Sequence, residues 1–286
     1  MTIFQAAFLG VVQGMTEFLP ISSSAHLVFA QYLMGFHKPL LFFDVMLHQG
    51  TLLALFVYFA ADLAHIIRDS IYGIFFLIRR KPLKQIAEMA PHSKWALGII
   101  VAMIPTGLMG IFFKHWFESL FGSFRDLGIQ MLITTALLVL TRFFPRGAAS
   151  GGDRQNGKGI EQATYLDFLI IGVMQGIAII PAISRSGATI AAALFLGIKR
   201  DDAFRFSFLI SIPAILGAGL LEMKDGFAGI GMSWPALAAG FTTSAIFGFL
   251  SLFWLARVTR RGKLYLFGVY TFLFSLLVFY LSPRLP

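Results

Sequence analysis

Six stretches of the chain are long and apolar enough to cross a bilayer: residues about 41–61, 95–113, 127–144, 203–221, 234–256 and 264–281. A spanning helix needs roughly 17 to 25 such residues. Inside lipid, every backbone N–H and C=O must be satisfied internally, which leaves only helices and closed barrels. Runs of this length are helices, so the expected fold is all-α, a polytopic membrane helical bundle. Composition agrees: 57% of the 286 residues are hydrophobic, 13% are charged, and the mean hydropathy is +0.79. Soluble domains do not have that balance. The net charge of +9 therefore reads as basic cytoplasmic loops, and nucleic acid is not an expected partner. Cysteine is absent, which excludes disulfides, thiolate nucleophiles and zinc–thiolate sites. The first apolar run lacks a basic leader and a small-residue cleavage site, so it is expected to stay in the working protein.

Two further apolar stretches, about 3–34 and 166–198, have a different shape. The first contains GVVQGMTEFLPISSSAH, Gly10 to His26. Gln13 and Glu17 are four apart and share one helix face. Pro20 disfavours helix at the residue before it, so the helix should stop near Leu19. Ser22, Ser23 and Ser24 are N-cap residues for a short second helix that carries His26. A second arm of about ten residues covers only about 15 Å, half a bilayer core. The expectation is a re-entrant hairpin whose break faces protein or a wet cavity. The second stretch contains GVMQGIAIIPAISRSGAT, Gly172 to Thr189. A constant shift of 162 positions pairs Gly10 with Gly172, Gln13 with Gln175, Ser22 with Ser184, Ser24 with Ser186 and Gly35 with Gly197. This reads as an internal duplication. The expected organisation is one integral membrane domain, 1–286. Repeat one covers about 3–61, repeat two about 166–221, and the glycine-rich stretch 145–160 is a mobile linker. Residues 62–94 include the amphipathic DLAHIIRDSIYGIFFLIRRK, expected along the cytoplasmic interface.

If neither hairpin crosses the membrane, the basic residues separate. One side holds Arg68, Arg79, Arg80, Lys81, Lys84, Lys94, Arg142, Arg146, Arg154, Lys158, Lys199, Arg200, Arg257, Arg260, Arg261 and Lys263. The other holds Lys38, Lys114, Arg125, Lys224 and Arg284. The rich side is cytoplasmic by the positive-inside rule. The first hairpin then opens outward and the second inward, an inverted-topology repeat with both breaks near the midplane.

Ionisable groups at membrane depth are costly and are functional candidates by default. They are Glu17, His26, Asp44, His48, Arg185 and Arg205. Glu17 beside Gln13 could hold a hard cation such as Mg²⁺ or Ca²⁺, or act as a base. Ser23 and His26 have the spacing for a hydroxyl and its base, although hydroxyls in membrane helices more often cap backbone. Arg185 lies between Ser184 and Ser186, with Thr189 following: a guanidinium, hydroxyls and a helix N-terminus that together suit phosphate. Asp44 and His48 are one turn apart and could join a metal or proton site; either these or Arg205 could equally form a structural salt bridge. Two functions fit this set: metal-assisted phosphoryl chemistry on a lipid head group, and transport of an anionic substrate.

EFLPISSSAH (Glu17 to His26), with Gln13 ahead of it, resembles the first signature of the bacterial undecaprenyl-diphosphate phosphatase, or bacitracin-resistance, family. PAISRSGAT (Pro181 to Thr189) resembles its second, Pro-Gly-x-Ser-Arg-Ser-x-x-Thr, and FDVMLHQGT (Phe43 to Thr51) a third, less specific one. The resemblance implies removal of the terminal phosphate of undecaprenyl diphosphate, recycling the lipid carrier for cell-wall synthesis and conferring bacitracin resistance. It implies a divalent cation at Gln13 and Glu17. It further implies catalytic roles for Glu17, Ser23, His26 and Arg185, and phosphate binding by Ser22, Ser184, Arg185, Ser186 and Thr189. Asp44 and His48 stand as outer members of the site. The expected partners are the polyprenyl diphosphate and membrane lipids, with a homo-oligomer left open. The expected place is the bacterial cytoplasmic membrane, with the site open to the periplasmic side. A flippase for an anionic polyprenyl phosphate lipid is the alternative. Two positions depart from the family pattern: Ala182 replaces a glycine and should stiffen that turn, and Gln13 is the neutral option at its position.

Overall fold

The computed structural model describes residues 1–37, 40–120, 123–143, 157–225 and 233–282. Apart from one bridge between Lys158 and Ile198, regular structure among these residues is helical. In chain order the helices are α1 (Ile3–Phe18), α2 (Ser23–Leu33), α3 (Leu41–Tyr58), α4 (Ala60–Ile78), α5 (Leu83–Met89), α6 (Ser93–Phe112), α7 (Lys114–Ser119), α8 (Phe124–Leu140), α9 (Tyr165–Ile177), α10 (Arg185–Phe195), α11 (Arg200–Asp225), α12 (Trp234–Arg260) and α13 (Tyr265–Leu281). A single 3₁₀ turn, Ile160–Gln162, precedes α9.

Each of the six expected spans is a helix. By length and composition α3, α6, α11 and α12 are able to cross a membrane. The other two, α8 and α13, have 17 residues each, about 25 Å of helix and the lower edge of what a bilayer needs. The chain is a multi-pass membrane protein. Its outer faces show why: Ile100, Ile104, Leu108 and Ile111 run down one exposed stripe of α6, the spacing of a single helix face.

The stretches around Pro20 and Pro181 both fold as helix, break, helix. Their ends use the same chemistry at positions 162 apart. Thr2 caps α1 and Thr164 caps α9, each with a reciprocal capping box. Ser22 caps α2 and Ser184 caps α10, accepting from Ala25 N–H and Gly187 N–H. The short arms end at Gly35 and Gly197, whose φ values of 83° and 79° suit a residue with no Cβ. Glycines also set the close helix contacts. A Cβ on Gly10 would collide with the Gly240 carbonyl of α12, and one on Gly172 with the Ala102 carbonyl of α6. We expect Gly172→Ala to push α9 off α6 and lower stability in detergent by about 1–3 kcal/mol, the usual cost of overpacking. An unchanged melting temperature would contradict that contact.

The amphipathic stretch after α3 folds as α4 and α5. Buried Asp69 anchors α4 to the start of α6. Its carboxylate accepts from the His92 backbone N–H (3.1 Å) and Nδ1 (2.8 Å), and from Arg68 Nε (2.9 Å). Most of the glycine-rich stretch 145–160 lies outside the described residues. Its end is tied down: Lys158 N–H donates to Gly197 O at 2.9 Å, and Lys158 Nζ reaches Asp167 at 2.7 Å.

Candidate active site

The site forms where the two breaks meet. Helix α1 stops at Phe18, with Leu19 extended (ψ 141°), because the following proline cannot tolerate a helical neighbour. Ser22 then turns the chain at φ 69° and caps α2. In the other unit Ala182 takes φ 58°, a left-handed conformation that costs an L-residue about 1–2 kcal/mol. The glycine of the family pattern would relieve it. The breaks bond to each other through Ala182 N–H, which donates to Ser24 Oγ at 3.3 Å, and the second break is tied to α8, where Ser184 N–H donates to Thr134 Oγ1 at 3.0 Å.

Glu17, on the last turn of α1, is the hub. Arg185 Nη2, from the first residue of α10, donates to its Oε1. Gln13 Nε2 (2.9 Å) and Ser23 Oγ (2.7 Å) donate to its Oε2. His48 Nε2 of α3 stands 3.6 Å from the same oxygen. The Glu17 side chain is 4% exposed and that of Arg185 is 23% exposed, so the carboxylate is sealed while the guanidinium still reaches the open space. That space is a cavity of about 570 Å³. Glu17, Ser22, Ser23, His48, Ser184 and Arg185 all line it, and it runs between α6 and α11 to Ile111, Phe117 and Leu221.

Several expected members are elsewhere. The Ser23–His26 couple does not form: the Ser23 hydroxyl donates its hydrogen bond to Glu17, and the His26 ring turns to the opposite side of α2. It stacks on Phe274 of α13 with centroids 4.1 Å apart. Its Nδ1 lies 2.7 Å from Ser22 O and its Nε2 lies 2.8 Å from Tyr270 Oη. A carbonyl only accepts, so Nδ1 carries the proton and Nε2 accepts from the tyrosine hydroxyl. Both ring nitrogens are thereby engaged away from the cavity. Ser186 and Thr189 are buried behind the cavity wall: Ser186 Oγ pairs with Ser184 Oγ at 3.2 Å, and Thr189 Oγ1 donates to Arg185 O at 2.8 Å. They shape the cradle without facing it. Asp44 does not meet His48 through its carboxylate, which accepts from Gln31 Nε2 at 2.6 Å; His48 Nδ1 bonds the Asp44 backbone carbonyl instead. Arg205 pairs with Asp62 at 2.9 Å, outside this cavity. The residues that sequence reasoning passed over are Thr134, Tyr270 and Gln49. The first two are polar side chains inside apolar helices, which is the signal that marks them. Gln49 sits beside His48 and lines the same cavity.

The donors suit a divalent cation only in one mode. Among the described residues no group of three or more His, Cys, Asp or Glu side chains could hold a metal. Gln13 Oε1 is buried with no partner among them, and it lies beside the one carboxylate in the cavity wall. Mg²⁺ commonly takes one or two carboxylates and fills its shell with water and substrate phosphate. Glu17, Gln13 Oε1 and Ser23 Oγ fit that role.

A family model described as bacitracin resistance protein BacA matches residues 6–277. The chain belongs to the BacA family. Its BacA relatives align end to end. It is 41% identical over 281 residues to an undecaprenyl-diphosphatase of Methanosphaera stadtmanae, covering 98% of each chain. It is 41% identical over 287 residues to one from Alkaliphilus metalliredigens, covering 97% of this chain and all of the relative. Against one from Desulforapulum autotrophicum the figure is 40% over 278 residues, 97% of each.

Proposed function

We propose that this chain hydrolyses undecaprenyl diphosphate to undecaprenyl phosphate and inorganic phosphate, returning the lipid carrier to cell-wall synthesis. The observation that carries the reading is the cluster of Glu17, Arg185 and Ser23 on one cavity at the meeting of two helix breaks, together with the name shared by its BacA relatives. Arg185 uses Nη2 on Glu17 and keeps further N–H donors for phosphate, a planar fork matched to two oxygens. The capped start of α10, with Ser184, adds backbone dipole where the negative charge sits. Ser23 Oγ attacks the terminal phosphorus while Glu17 takes its proton. The bond from that phosphorus to the bridging oxygen breaks, and the lipid monophosphate leaves. Glu17 passes its proton to the departing lipid phosphate and is again a carboxylate. Water then attacks the phosphoserine phosphorus as Glu17 takes the water's proton, Ser23 Oγ leaves with that proton returned to it, and inorganic phosphate is released. A divalent cation, when bound at Glu17, Gln13 and Ser23, supplies neutralisation of the diphosphate charge. His26 is a positioning residue, holding α2 against α13 through Tyr270 and Phe274. The apolar remainder of the cavity, between α6 and α11, accepts the first units of the prenyl chain. Phosphate release by the purified protein in detergent, where there is no membrane to cross, separates hydrolysis from transport.

The two broken units also support an inverted-topology repeat of re-entrant hairpins, with matched caps and matched glycine contacts 162 positions apart. The basic end of the bundle supports a cytoplasmic assignment for that side. There Trp95 Nε1 bonds Glu161 (3.2 Å), Lys94 lies over Tyr165 and Arg260 pairs with Asp201 (2.8 Å), joining loops rich in Lys and Arg. The cavity runs toward the opposite, periplasmic end. The native chain has no cysteine, so single cysteines test this. Ser119→Cys should label only from outside and Lys263→Cys only from the cytoplasm; labelling of both from one side would sink the arrangement.

A further inference from the structure

Roughly 12 Å further along α3 from Gln49, at the other end of the bundle, a second cavity of about 350 Å³ opens among the α3–α4 corner, the start of α11 and the last turns of α12. Its wall is aromatic. Phe59, Phe204, Phe249 and Phe253 surround Tyr58, with ring centroids 4.7, 6.1, 6.2 and 5.0 Å from it. Its polar rim is Asp62, Arg205 and Arg260. Two ion pairs cross this end: Arg205 Nη2 to Asp62 at 2.9 Å, and Arg260 Nε to Asp201 at 2.8 Å. Neither exhausts its guanidinium. Arg260 spends only Nε, leaving both Nη groups without a partner among the described residues, and its side chain is 61% exposed. Tyr58 Oη has no hydrogen-bond partner among them either.

Asp62 and Asp201 balance the two guanidiniums in charge, so what this end offers an anion is unspent donors, the Nη groups of Arg260 and the hydroxyl of Tyr58. The free donors are the fork and hydroxyl that a phosphate ester accepts from. The ring of phenylalanines favours something apolar attached to that phosphate, and a tyrosine at the end of a spanning helix is the residue type found at head-group depth. A free phosphate ion would satisfy the rim and leave the aromatic wall unfilled. We infer that this cavity binds the phosphate head group of a membrane lipid from the basic-side leaflet, with Arg260 and Tyr58 as its donors. The site is separate from the Glu17–Arg185 cavity and does not depend on the reaction proposed there.

Native mass spectrometry of the full-length protein released from detergent tests it, with phosphatidylglycerol as the probe. The parent should retain one phosphatidylglycerol and should not retain diacylglycerol of the same chains. Inorganic phosphate at matched concentration should not displace the lipid. Arg260→Gln should weaken retention about tenfold, the order of one charge-assisted hydrogen bond, and Tyr58→Phe should weaken it by less. Phosphate release in detergent should be unaffected by Arg260→Gln, so a failure of the catalytic proposal is distinguishable from a failure here. Equal retention of diacylglycerol would remove the phosphate from the account. Displacement by inorganic phosphate would make the site one for a free anion. Retention unchanged in both variants would overturn it altogether.

Discussion

Arg185→Lys is expected to cut turnover by about 2 kcal/mol or more in transition-state free energy, the order of losing one oriented donor, with thermal stability in detergent little changed. Arg185 has two tasks that the substitution separates. It neutralises Glu17, which lysine's charge also does. It also presents further N–H groups to the cavity, where lysine has no planar fork to grip two oxygens of one phosphate. If neutralising Glu17 were the whole role, lysine would be nearly silent. Arg185→Ala removes both tasks. It should abolish most turnover and also destabilise by about 3–5 kcal/mol, because a carboxylate 4% exposed is left without its cation. The two variants are compared by kcat/KM for phosphate release and by melting temperature. A fully active lysine variant would end the phosphate-cradle reading.

Glu17→Gln should lower kcat by about 10²–10⁴-fold, the range for removing a positioned proton acceptor, and leave a folded protein. The amide is isosteric, and its single oxygen keeps either the Arg185 bond made at Oε1 or the Ser23 bond made at Oε2, not both. It cannot take the serine proton, and it brings no charge to a cation. Its structural neighbours Gln13 and His48 stay where they are. Turnover near the parent rate in saturating Mg²⁺ would remove Glu17 from both the proton transfer and the cation site.

What the sequence made legible was local chemistry. Pro20 ended α1 one residue from where its ring forbids helix, and Ser22 and Ser184 capped the arms that follow, because a cap is decided within four residues. The close contacts of Gly10 with α12 and of Gly172 with α6 were not readable, because a glycine does not reveal what packs against it. The meeting of Glu17 with Arg185 followed from two helix breaks that share one pattern. His26 failed for a physical reason. Its ring orientation is set by Tyr270 and Phe274, 244 and 248 positions away in the chain, whose stacking outweighs the near Ser23. Asp44 was similarly claimed by Gln31 from a different helix. Thr189 carried a phosphate-binding expectation because hydroxyls after an arginine suit an anion, but a helix places position i+4 one turn behind the cap, where it bonds backbone instead.

The most direct test of the central claim is phosphorus NMR of undecaprenyl diphosphate incubated with the purified protein in detergent and Mg²⁺. The account predicts that the diphosphate signals give way to lipid monophosphate and inorganic phosphate in equal amounts, and that Arg185→Lys and Glu17→Gln slow this conversion without changing its products. Release of inorganic diphosphate, or an unchanged spectrum from folded parent protein, would contradict it.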